Sequence, residues 1–135
     1  MTRIAVVRGQ LAAARGLPSV LDAAYSGFEY LLQVFRARED AGHSAFAAYV
    51  MSAGRAADGR DAVGFAPSLP PGIAALPARD ASSAALAELA ALCADLASRL
   101  EQYAHPAVKP GDRTACRAAA EHARQIHQLL AGGGP

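Results

Sequence analysis

The segment SSAALAELAALCADLASRLEQY, residues 82–103, places Leu86, Leu89, Cys93, Leu96, Leu100 and Tyr103 at alternating spacings of three and four. That period sets all six on one face of an α-helix, while Glu88, Asp95, Arg99 and Gln102 fall on the other. The seam is heptad-like. It predicts a helix packed lengthwise against near-antiparallel neighbours, at crossing angles of roughly 20°. One such helix cannot bury its face alone, so the rest of the chain must supply partners.

The composition agrees. Apolar residues make up 53 % of the 135, and alanine leads them. Alanine is the best helix former, whereas the β-branched and aromatic residues that strands favour are sparse. The length suits one domain with a core of its own.

On the C-terminal side of this segment, His105-Pro106 to Gly111 reads as a turn, with Asp112 as the N-cap of a last helix. That helix turns Cys116, Ala119, Ala123, Ile126 and Leu130 inward and ends in Gly132-Gly133-Gly134. On the N-terminal side, Pro67, Pro70, Pro71 and Pro77 with Gly72 forbid regular helix over Ala66–Asp80. This stretch reads as a crossover linker, held to the body by Leu69, Ile73 and Leu76.

Before the linker, a helix starting from an N-cap at Ser44 turns Phe46, Tyr49, Val50, Ala53 and Ala57 inward. Asp58-Gly59 either ends or kinks it; if it continues, Val63, Gly64 and Phe65 belong to it too. Earlier still, Val20 to Glu39 forms a helix with Leu21, Ala24, Phe28, Leu31, Leu32 and Phe35 on one face. Residues 2–15 form a weaker helix through Ile4, Val7, Leu11 and Ala14. The expected fold is all-α over residues 1–135: a four-helix bundle with a short extra N-terminal helix and a Pro-rich crossover linker.

The formal net charge is +1 and Lys109 is the single lysine. Nothing in that balance draws the chain to nucleic acid or an acidic membrane. No apolar run approaches the ~20 residues that span a bilayer, and Ile4–Val7 is too short for a signal sequence. Abundant Arg, Ala, Gly and Pro with little Lys is the composition of a GC-rich bacterial genome, so the expected location is a bacterial cytoplasm. Cys93 and Cys116 then read as buried thiols, with a disulfide between the last two helices as the alternative.

Chemistry is hard to assemble from these residues. His122 and His127 are five apart, roughly 140° around a helix, and Cys116 and His127 are on the order of 16 Å apart along it. No pair of them can share an ion, so neither metal nor cofactor is expected. There is no Gly-x-Ser-x-Gly and no glycine loop after a strand. The stretch Arg117-Ala-Ala-Ala-Glu-His122 is similar to the Arg-x4–6-His pattern of the HEPN-class ribonucleases. That resemblance implies a helical nuclease with Arg117 for phosphate charge and His122 for proton transfer. Arg38 with His43 and Arg99 with His105 repeat the spacing, and a helical wheel puts Arg117 and His122 on different edges. Arg113, Arg117 and Arg124 form a stripe beside Gln128, but Glu121 interrupts it and no aromatic joins it for base stacking. It reads as a solvated face rather than a nucleic-acid surface.

Two surfaces remain. Tyr30, Val34, Ala23 and Ala37 make a second apolar strip beside the main face of their helix, to be covered by the first helix or by a second protomer. Tyr25, Tyr49, Tyr103 and the Arg60–Asp61 pair are candidates to line a pocket between helices, because thin alanine cores leave space. The leading expectation is a non-catalytic interaction protein that self-associates as a homodimer. The alternative is a small-ligand binder or enzyme using that pocket, and the third reading is the HEPN-like ribonuclease.

Overall fold

The computed structural model describes residues 2–42, 46–71 and 84–132. The protein is all-helical: α1 (Arg3–Ala13), α2 (Leu17–Asp40), α3 (Phe46–Gly64), α4 (Leu86–Ala104) and α5 (Pro110–Gly132), with no strand among the described residues. Helix α2 packs on α3, α3 on α5, α5 on α4 and α4 on α2, while α1 lies against α2 and α4. No helix of the described residues is long and apolar enough to cross a membrane.

Helix α1 starts at Thr2, whose Oγ1 accepts from the Ala5 N–H at 3.3 Å. Ile4, Val7 and Leu11 are buried, as their spacing predicts. The chain then turns through Gly16, whose φ of +84° favours glycine. Two residues of α4, one turn apart, fix this turn. Arg99 donates to the Ala14 carbonyl, and the Tyr103 hydroxyl accepts from the Gly16 N–H at 3.3 Å. The Arg99 guanidinium also lies 5.3 Å from the centre of the Tyr103 ring.

Helix α2 begins at Leu17 rather than Val20, because Pro18 needs no donor in a first turn. It is buried on two sides. Phe28 meets α3 at Gly59, where an added Cβ would stand 2.7 Å from ring carbons Cδ1 and Cζ. Gly27 meets α4, where an added Cβ would stand 3.1 Å from a Leu96 methyl. Ala23, Tyr30 and Val34 lie on the Gly27 side, four or seven residues away from it or from one another. All three are buried within the chain, and Ala37 is half-buried. The second apolar strip is therefore covered by the molecule's own helices, not held open for a partner.

Helix α3 runs unbroken through Gly59 to Gly64. Its buried line is Tyr49, Ser52, Ala53, Ala56, Gly59 and Val63. The expected inner face is thus rotated: Val50 is 43 % exposed and Ala57 only half-buried. Phe65 lies just past the helix end and is 83 % exposed. Ser44, His43 and the Phe46 side chain lie outside the described residues, as do Ile73 and Leu76 of the linker.

The α4 seam holds Leu89, Cys93, Leu96 and Leu100 fully buried, and Leu92 joins them. Leu86 opens the helix and is 36 % exposed, and Tyr103 at the far end is half-buried, so the fully buried seam is shorter at both ends than its spacing suggests. Helix α5 begins at Pro110, and Asp112 is not its N-cap. The carboxylate sits inside the first turn, buried, and accepts from the Ser68 N–H at 3.0 Å and the Ser68 Oγ–H at 2.6 Å. That clasp holds the segment after α3 against the start of α5. The expected inner face of α5 is buried throughout.

Candidate functional site

The residues singled out by sequence are scattered. Tyr49 is buried, its ring 6.1 Å from that of Phe35, and its hydroxyl accepts from Arg38 at 3.3 Å. Tyr25 is half-buried beside Gly64, and Tyr103 serves the Gly16 turn. The cleft that Tyr103 lines with Leu17 and Ala107 includes neither Tyr25 nor Tyr49. Arg60 turns toward α2, donating to Glu29 at 2.8 Å and more loosely to Asp61 at 3.2 Å. The hydrogen bond that Arg60 donates to Glu29 is the main reason its pKa is raised. Asp61 instead faces a groove on the other side of the helix.

The other candidates separate in the same way. Arg117 is exposed, whereas His122 is half-buried and lines the groove without it. Arg99 is committed to Ala14 and Gln102, away from the exposed His105. Of the basic stripe on α5, Arg113 donates to the Ala107 and Val108 carbonyls, and Arg124 pairs with Glu101 and Glu121. Cys93 and Cys116 are free thiols. Burial pushes the first up to about 12; burial, then the Asp112 charge, push the second up to about 11. Neither is a nucleophile near neutral pH. Among the described residues no group of three or more His, Cys, Asp or Glu is placed to hold a metal ion.

What the helices do build is a groove of about 650 Å³ between the second half of α3 and the first half of α5. Ala62 of α3 and Ala115 and Ala118 of α5 form its floor. Alanines there are short enough to leave open a space that larger side chains would fill. Asp58 and Asp61, three apart and so on one face of α3, make one rim; Thr114 and His122 of α5 make the other. Phe65, one turn beyond Asp61, closes the Gly111 end, and Pro67 fixes that end by packing on Gly111.

The groove differs from two other interhelical clefts in having no ion pair across it among the described residues. The cleft between α1 and α4, about 420 Å³, is spanned by Arg8–Asp95 at 2.9 Å. The cleft between α4 and α5, about 450 Å³, is bridged by Arg124–Glu101. Asp58 has no hydrogen-bond or ion-pair partner among the described residues, and the buried Nδ1 of His122 likewise has none.

Sequence reasoning noted Asp58, Asp61 and His122 but not the surface they share. The available signal was the three–four spacing of Asp58, Asp61 and Phe65, which becomes a helical face once the helix passes Gly59. Comparison with known protein families, curated proteins and solved structures finds no match to this chain.

Proposed function

We propose that this chain is a small helical binding protein without a catalytic constellation, its working surface the groove between α3 and α5. In this reading the four long helices make a bundle and α1 is an added layer. Its place of action is the bacterial cytoplasm, where free thiols such as these persist. The observation that carries the reading is the groove itself, with an alanine floor, an unbridged mouth and an exposed Phe65 at one end. Its volume is in the range of sites that enclose small molecules.

A neutral apolar dye tests the groove. Nile red fluorescence is expected to rise on mixing with the native protein and to stay low with Ala118→Phe, which fills the floor from a half-exposed position. Circular dichroism checks that the variant remains helical. A dye response that is absent, or that survives Ala118→Phe, would overturn the reading.

A second reading keeps self-association but moves it. The Tyr30 strip is buried, whereas Val50 and Met51 on the outer side of α3 are 43 % and 58 % exposed beside the open Gly54. A homodimer would use that side. Native mass spectrometry separates the two readings: a dimer that Met51→Glu dissociates supports the second, and a monomer in both proteins rejects it.

A further inference from the structure

We propose that the α3–α5 groove takes an organic cation with an apolar body: an ammonium head beside Asp58 and Asp61, and a carbon skeleton laid along the alanine floor toward Phe65. This rests on the binding reading above and names the class of ligand.

Charge selects the head. Two carboxylates and no Arg or Lys line the groove, although the chain as a whole is slightly basic. Arg60, beside Asp61 in the chain, is held by Glu29 and pairs with Asp61 but not with Asp58. That leaves Asp58 open to a positive group. An anionic ligand would meet both carboxylates. Nor does the positive end of the α5 dipole invite one, because the buried Asp112 carboxylate already occupies that first turn.

Shape and polarity select the body. Asp58 and Phe65 are seven residues apart, roughly 10 Å along the helix. The floor between them is methyl groups. A metal ion or a small hydrophilic amine would leave that floor in water, whereas a chain or ring some eight carbons long would cover it. The exposed face of Phe65 adds an apolar contact for the tail, or a cation–π contact for a head bound in the reverse sense.

Three ligands with the same chain and different heads test this: octylammonium, octanol and octanoate, each titrated by displacement of Nile red. Octylammonium is expected to bind about tenfold more tightly than octanol, with octanoate weakest. In the Asp58→Asn/Asp61→Asn variant that advantage should disappear while octanol affinity stays unchanged. Both side chains are exposed, so the amides leave the core untouched. Equal affinities for the three ligands, or an ammonium preference that survives the double substitution, would overturn the cation proposal and leave the groove as a binding site. Failure of all three ligands together with the dye would overturn the groove reading itself.

Discussion

Helices α3 and α4 are each nineteen residues long and each buries one face, but they bury it by opposite means. Helix α4 brings its own volume, with Leu89, Leu92, Leu96 and Leu100 filling the space around it. Helix α3 brings almost none. Along Ser52, Ala53, Ala56 and Gly59 its backbone comes close, and the volume belongs to α2, whose Phe28 ring lies over Gly59. On α4, then, a buried face is a property of the helix; on α3 it is a property of the partner. The same thinness on the far side of α3, met by the alanines of α5, leaves the groove open instead of filled.

Breaking that contrast should give effects of decreasing size. Leu96→Ala on α4 removes volume that no neighbour replaces, since Gly27 opposite it has no side chain. Its expected cost is about 2–5 kcal/mol in urea unfolding. Gly59→Ala on α3 adds a methyl where Phe28 already stands, with an expected cost of about 1–3 kcal/mol. A smaller ring partner should absorb part of that strain, so Gly59→Ala is expected to cost less in a Phe28→Leu background. Equal costs in both backgrounds would show that Phe28 is not what excludes the methyl. Gly54→Ala sits on the open side of α3, where nothing lies within 4 Å of an added Cβ. It should stabilise the protein by up to about 1 kcal/mol through helix propensity alone, read as a higher urea midpoint. A loss of stability there would mean the outer side of α3 is covered in solution, sharpening the dimer reading.

The same contrast explains what could be read from the sequence. The α4 seam was legible because leucine reports burial by its own bulk. Leu92, three after Leu89 and four before Leu96, escaped because a single alternating line leaves out the position flanking it, and Leu86 was overcounted because a side chain in the first turn leans past the end of its helix. The inner face of α3 was misjudged because Val50 outranks Ser52 and Ala56 in hydrophobicity. Yet Ser52 is fully buried, because only small side chains fit under the rings of α2. Gly59 looked like a helix end, but its role is close approach. The tyrosines could not be placed from their chemistry alone. Tyr49 is tied to Arg38 and Tyr103 to Gly16, local pairings that leave both away from the groove. The groove was illegible for a related reason: its emptiness comes from two thin faces meeting, and neither helix announces that alone.

The clasp of Ser68 on Asp112 belongs to a wider pattern at one end of the molecule. There Leu17, Ser68, Tyr103 and Ala107 come together, and each chain reversal nearby is stitched to a helix: Ala14 by Arg99, Gly16 by Tyr103, Ser68 by Asp112, and Ala107 by Arg113. Three of those four ties join residues 44 to 87 positions apart, so they form only once distant parts of the chain have met.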